Sequence, residues 1–265
     1  MPELPEVETW RKLAESHIGG KRVDSVSVQN DRLIYREVSP QTVARKLRGR
    51  TVLTPHRRGK YLWFELDRPP YPVFHFGMGG GFLIYFEGEE RPKWWKLDIR
   101  MDDGTHLVYR NVRRIGRIGL ANDPLVEPPV SSLGPDPLHD PLCEEELSKR
   151  LEKRTGLIKP LLLNQSVFAG VGNWIADEVL YQAGISPFRK ANSLSTTERH
   201  ALHTQLEFVI RRAVDVDAAS DRFPTTWLFH HRWGKEKGAT TSRGEAIQFD
   251  TIAGRTAAWV PTRQI

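Results

Sequence analysis

The sequence predicts an α+β chain in two domains: a leading helix with a β-sandwich, then a helical half closed by a small β appendix. Three observations carry this prediction. Short strand-like runs broken by frequent turns fill the first half after one helical stretch. The stretch "NDPLVEPPVSSLGPDPLHDP", residues 122–141, is rich in Pro, Ser and Asp and reads as a linker. Beyond it, apolar residues recur at helical spacing.

The elements follow in order. Pro5 at the first helical position, with Glu6 and Glu8 in the first turn, opens a helix. Val7, Trp10, Ala14 and His17 share one face of it, and Gly19-Gly20 ends it. Strands are predicted at Arg22–Val28, Tyr61–Leu66, Val73–Phe76, Gly81–Phe86, Trp95–Met101 and His106–Arg110, with Asp103-Gly104 as a hairpin turn between the last two. In the second half, Leu142, Leu147 and Leu151 mark a helix, "GLIKPLLLNQ" a short apolar one, and "NWIADEVLYQAG" a compact one closed by Gly184. Ser195 and Glu198 form a capping box that opens a long helix, and "EAIQFDTIAGRTAAWVP" reads as a hairpin. The expected boundaries are 1–125 for the sandwich, 126–141 for the linker, 142–225 for the helical domain and 226–265 for the appendix.

Composition narrows the function. A formal charge of +6 and a pI near 9.5 favour a polyanionic partner. A single cysteine, Cys143, rules out an intrachain disulfide and any cysteine-rich zinc or iron–sulfur site. His230 and His231 are adjacent and lack nearby thiolate partners, so no metal site is assigned to them. The N-terminus is acidic where a secretion signal would be basic and then apolar, and no apolar run is long enough to span a bilayer. The expected location is the cytoplasm, at a bacterial nucleoid, or the nucleus of a eukaryote.

The opening "MPELPEVET" holds two layers. A plain helix start accounts for Pro5 and the acids after it. It does not account for Pro2 or Glu3, which precede the helix. Removal of the initiator would leave Pro2 with a free secondary amine. Terminal amines titrate near ~8 and lysine near ~10.4, so far more of a terminal amine is neutral and nucleophilic at pH ~7.4. Such an amine forms a Schiff base with an aldehyde-like carbon, and Glu3 beside it is a candidate proton-transfer group.

"PELPEVET" resembles the N-terminus of the formamidopyrimidine-DNA glycosylase / endonuclease VIII family, and further motifs match along the chain. The resemblance implies a bifunctional glycosylase and lyase of base-excision repair acting on damaged double-stranded DNA as a monomer, without a cofactor. It implies that Pro2 attacks the sugar C1′, that Glu3 moves protons, and that Glu6 and Glu178 are supporting acids. In "RRGKYLWFEL", Lys60 would read locally as a solvated lysine; the resemblance makes it a catalytic-site residue that contacts phosphates near the lesion. The resemblance further implies that Met78, in "FHFGMGGGF", fills the space left by a flipped nucleotide and that Arg113, in "NVRRIG", faces the orphaned base. Ile115 stands where the family usually has phenylalanine, an apolar wedge with weaker stacking.

"KPLLLNQSVFAGVGNWIADEVLYQAGISP", residues 159–187, resembles the family's helix–two-turn–helix element. It implies phosphate binding by Asn173 at a helix start and by Lys159. "GRTAAWVPTRQI" resembles the end of the family's finger, with Val260 and Arg263 at two cysteine positions and Arg255 as the phosphate-gripping arginine. This is the pattern of the zincless-finger branch, in which Ile247, Phe249, Ile252 and Trp259 are expected to replace a metal by packing. The stretch between the long helix and the hairpin does not match the loop that covers 8-oxoguanine in bacterial enzymes. Formamidopyrimidines and further-oxidised guanines are therefore favoured as substrates, with oxidised pyrimidines left open. The alternatives are a non-catalytic damaged-DNA-binding protein of the same build and a glycosylase that leaves the strand intact.

Overall fold

The computed structural model describes residues 2–265 and divides into two compact units, Met1–Ser132 and Leu133–Ile265. In the first, helix α1 (Leu4–Ile18) precedes strands β1 (Val23–Val28), β2 (Val52–Arg58), β3 (Tyr61–Leu66), β4 (Tyr71–His75), β5 (Gly80–Phe86), β6 (Trp95–Met101), β7 (Thr105–Asn111) and β8 (Arg117–Ala121), with α2 (Pro40–Leu47) between β1 and β2. Two antiparallel four-stranded sheets form, in the orders β1-β6-β7-β5 and β2-β3-β4-β8. Their shared core holds Phe64, Phe74, Phe76, Phe82 and Tyr109, and α1 adds Val7, Ala14 and Ile18 to it.

α1 shows how tightly the chain tip is fixed. Trp10 packs against Phe76 with ring centroids 4.3 Å apart and the planes tilted by 49°. It fits because the facing residue is Gly81, where a Cβ would lie 2.6 Å from the indole. His17, predicted on the core face, instead bonds the Leu13 carbonyl at 2.9 Å, and Ile18 takes the buried place.

Three elements are absent from the sequence prediction. β2, "VLTPHRR", carries a proline and a basic end that read as non-strand; it is an edge strand, where a missing N–H is tolerated. β8, "RIGLA", is short and holds a glycine, and it pairs on the other edge with β4. α2 is opened by Ser39, whose hydroxyl accepts from Thr42 N–H, with Pro40 at its first position.

The second unit contains α3 (Glu144–Glu152), α4 (Ile158–Leu163), α5 (Asn173–Ala183), α6 (Thr196–Asp215) and the hairpin β9 (Gln248–Ile252) and β10 (Arg255–Trp259). Residues 134–140 are held by this unit's own bonds. Gly134 N–H donates to Gln165 O, Ala169 N–H to Pro135 O, and buried Asp136 accepts from Leu138 N–H. The hairpin belongs to the same unit, over a small core of Tyr181, Leu228, Ile247, Ala258 and Val260 with Phe249 packed against it. Ile252 is buried too, while Trp259 packs on Phe188 and donates to Asp250. Gln264 pins the end of the chain by accepting from Val260 N–H at 2.6 Å and donating to Ile185 O at 3.0 Å. Among the described residues no helix is long and apolar enough to cross a membrane.

Candidate active site and nucleic-acid interface

The chain tip is a helix cap made of carboxylates. Glu3 is the N-cap of α1; its side chain accepts from the Glu6 N–H, and Glu6 Oε2 accepts from the Glu3 N–H at 2.9 Å. Glu3 is 2% exposed and Glu6 half-buried. Burial, and then the nearby Glu3, raise the Glu6 carboxyl from 4.5 to about 7. Two acids sharing one cap thus keep a proton available at neutral pH, directly after Pro2. The expected removal of the initiator concerns Met1, which lies outside the described residues.

Lys60 sits in the β2–β3 turn and is 8% exposed. A buried ion pair fastens that turn to α1: Arg57 Nε donates to Glu8 Oε2 at 2.8 Å, and Arg57 Nη1 donates to the Gly59 carbonyl at 3.0 Å. Gly59 has φ of 57°, a conformation that a side chain would strain. His75, close to Lys60, is a residue the sequence reading passed over. Burial and the charges of Lys60 and Arg117 push it down to about 4, so it is neutral near pH 7. Its Nδ1 accepts from Gly77 N–H at 3.3 Å, which leaves the proton on Nε2 as a neutral donor.

Met78, Arg113 and Ile115 come together. Arg113 Nη1 lies 3.6 Å from Met78 Sδ. The Gly77 backbone rests on the Ile115 carbonyl, where a Cβ would be 2.5 Å away, and Gly77 has φ of 59°. Arg113 is exposed and Ile115 is 38% exposed, so both remain able to project outward. Asn111 clamps the two loops and was not singled out from sequence. Fully buried, it donates to Phe76 O at 2.7 Å and accepts from Ile115 N–H at 3.2 Å. Arg114 (φ 56°) forks onto Asp31 at 2.8 and 3.1 Å, which fixes the loop from its other side.

In the second unit, Gln165 organises the turn between α4 and α5. It donates to Leu163 O and Val171 O, both at 2.8 Å, and accepts from Gly170 N–H at 3.1 Å. Asn173 follows as the first residue of α5, after Gly172 at the cap. Its Oδ1 is buried and has no hydrogen-bond partner among the described residues. That oxygen can only accept, so a phosphate here would be met by the side-chain Nδ2 and the free N–H groups of the helix start. Arg255 is exposed and opens β10 after a tight turn with positive φ at Ala253 (48°) and Gly254 (75°).

Glu178 is fully buried and accepts from Gln182 Nε2 at 2.7 Å and from Phe229 N–H at 2.8 Å. Burial raises it to about 7.

Lys159 does not fit the phosphate role read for it. Its side chain has 0% exposure, and its ammonium donates to Asp177 Oδ1 at 2.5 Å and to Thr256 O at 2.6 Å. A lysine within an apolar helix is here neutralised inside the unit rather than presented to a polyanion.

A β-sandwich with an acid-capped chain tip, joined in sequence to a helical unit with a glycine turn before α5 and a hairpin, is the plan of a class of DNA-repair glycosylases, as the matches to known domains show. Residues 1–118 match the formamidopyrimidine-DNA glycosylase N-terminal domain and residues 133–225 match that enzyme's H2TH domain. The chain belongs to the formamidopyrimidine-DNA glycosylase family. It is 42% identical to the formamidopyrimidine-DNA glycosylase of Arabidopsis thaliana, over 100% of this chain and 71% of that protein. It is 34% identical to the Bacillus subtilis enzyme over 96% of both. Among solved structures it is similar to Lactococcus lactis Fpg bound to DNA containing an abasic site (30% identity, TM-score 0.86, 99% of both chains). It is similar also to MutM in complex with DNA containing carbocyclic 8-oxo-G (32% identity, TM-score 0.87, 99% of both chains).

Proposed function

We propose that this chain is a bifunctional DNA glycosylase and abasic-site lyase that removes oxidised bases from double-stranded DNA. The observation that carries the reading is the Glu3–Glu6 cap directly behind Pro2, with Glu6 lifted to about 7. The Pro2 nitrogen attacks C1′ of the damaged nucleotide, the C1′–N bond to the base breaks, and the base leaves with a proton. Glu3 serves as the proton-transfer group, with Glu6 as the adjacent reservoir. Opening of the sugar gives an imine between Pro2 and C1′. The imine acidifies the C2′ proton; its removal expels the 3′ phosphate, and a second elimination expels the 5′ phosphate.

Lys60, Asn173 and Arg255 bind backbone phosphates, and Met78, Arg113 and Ile115 fill the space vacated by the extruded nucleotide. Lys60 is held in its turn by the Arg57–Glu8 pair, and His75 adds a neutral donor near it. Glu178 is the supporting acid of the helical unit, protonated over much of the neutral range. The domain plan is a catalytic sandwich, a connecting stretch near 126–141, a helix–two-turn–helix segment and a finger that folds without metal. Treatment with a chelator should leave the finger's DNA affinity unchanged. Formamidopyrimidines and further-oxidised guanines are the preferred lesions, and the site of action is the nucleoid, or the nucleus in a eukaryote.

The deciding experiment is reductive trapping. With borohydride and a duplex holding an abasic site, a covalent protein–DNA adduct should form and map to Pro2. Pro2→Gly should abolish it. An adduct on another side chain would overturn the mechanism, and no adduct at all would leave a binding protein or a glycosylase that uses water. Phosphate at both ends of the product gap would separate the lyase from a glycosylase that spares the strand.

A further inference from the structure

The geometry points to Asp177 as a positioning residue: its buried carboxylate locks the β10 strand, and with it Arg255, onto the helix that begins at Asn173. The inference rests on the phosphate-binding reading of Asn173 and Arg255 given above.

Asp177 lies one turn into α5 and is 2% exposed. Both of its oxygens are engaged. Oδ1 accepts from Lys159 Nζ at 2.5 Å. Oδ2 accepts from Arg232 Nη2 at 2.6 Å and Nε at 3.2 Å, and from the Ala258 N–H at 3.1 Å. Lys159 passes on to the Thr256 carbonyl at 2.6 Å, and Arg232 Nη2 lies 3.4 Å from the Asn173 carbonyl. One carboxylate therefore ties together α4, α5, β10 and the segment at Arg232.

The bonds to β10 are what give the cluster a positional role. The ribbon has two strands, and β10 pairs with β9 along one edge only. Such a ribbon is marginal alone. The groups at Ala258 N and Thr256 O, two residues apart, are the ones that Asp177 and Lys159 hold. Arg255 is the next residue to Thr256. The charged cluster thus fixes the register and depth of the strand whose first residue carries the exposed guanidinium. Its partner Arg232 reaches the backbone at the other phosphate site. A buried ion cluster is a weak source of net stability, because desolvation offsets most of the attraction; fixing one arrangement among several is its better-attested use. A strand held only by apolar contact would slide; one held at both an N–H and a C=O does not.

The test is a double-mutant cycle on the full chain, with a duplex carrying a tetrahydrofuran abasic-site analogue as the probe and affinity as the readout. Arg255→Ala alone should weaken binding about tenfold and reduce the salt slope by about one counterion. In the Asp177→Asn background, where Lys159 and Arg232 lose their anion, the further effect of Arg255→Ala should shrink to less than about twofold. Asp177→Asn by itself should already show the reduced salt slope. A merely structural role would leave the Arg255→Ala factor the same in both backgrounds at a temperature where all variants are folded, and that result would overturn the inference. If Asp177→Asn does not fold, Lys159→Met serves in its place. It removes the bond to Thr256 and leaves the Asp177–Arg232 pair, so the same coupling is expected in smaller measure and additivity has the same meaning. If Arg255→Ala has no effect in the native background, the reading of Arg255 fails instead, which separates the two.

Discussion

Glu178 gives the sharpest electrostatic prediction. Its carboxyl is fully buried, and burial lifts it from 4.5 to about 7 in the folded chain. Between those values the native state binds a proton that the unfolded chain has released. The protonated native form is therefore fully favoured below about 4.5, and that advantage is lost as pH rises through 7. At 1.36 kcal/mol per pKa unit, the charged form costs about 3 kcal/mol above pH ~8. Glu178→Gln removes the charge; its carbonyl oxygen can still accept from Phe229 N–H, and its amide nitrogen can donate to Gln182 once that side chain turns its oxygen inward. The variant should match the parent below about pH 4 and exceed it by up to about 3 kcal/mol at pH ~8.5. For a unit spanning residues 133–265, with about 2.1 cal/mol/K per residue of unfolding entropy, this is a rise of about 10 °C in the midpoint. Calorimetry of both proteins across this range measures the difference, and groups common to both cancel. Parallel stability curves for the two proteins would show that Glu178 ionises as an ordinary exposed acid does, and the electrostatic account would be wrong.

Three other outcomes are expected. Glu3→Gln should preserve affinity for abasic-site DNA within about twofold while single-turnover base release falls by at least about 10²-fold, as for loss of an acid–base group. Because Glu6 holds its proton up to about 7, the excision rate should have a limb near neutrality that falls as pH rises, and Glu6→Gln should flatten that limb in a pH–rate profile. Asn111→Ala leaves the Phe76 carbonyl and the Ile115 and Gly116 N–H groups without their side-chain partner, at a cost of roughly 2–4 kcal/mol by denaturant titration.

What the sequence revealed and what it hid divide along a physical line. Local patterns were legible: Pro5 with its following acids, the Asp103-Gly104 hairpin, and the Ser195–Glu198 box each appear where a few neighbouring residues determine the backbone. The Glu3–Glu6 cap is local in the same way, since its members lie three residues apart. Edge strands were not, because β2 and β8 depend on pairing with β3 and β4 rather than on their own composition. Lys159 was misread because its partner, Asp177, is 18 residues away. A hint was present, since Lys159 is the one charge in "IKPLLL" and Asp177 lies beside Glu178 in the otherwise apolar "NWIADEVLY", and opposite charges are cheapest to bury together.

The same line separates the residues that react from those that aim them. In the proposed mechanism Pro2 and Glu3 need only adjacency, but Lys60, Met78, Arg113 and Arg255 must each be held in place, and a turn or loop cannot do this unaided. In every case a buried polar group supplies the hold: Arg57 on Glu8 behind Lys60, Asn111 between the Met78 and Arg113 loops, and Asp177 behind Arg255. None of these is exposed, so none can touch DNA where it stands, and each satisfies backbone groups on a segment that can. These buried polar groups therefore serve loop geometry. Substitutions at those three buried sites should alter where Lys60, Met78, Arg113 and Arg255 act in every variant that still folds.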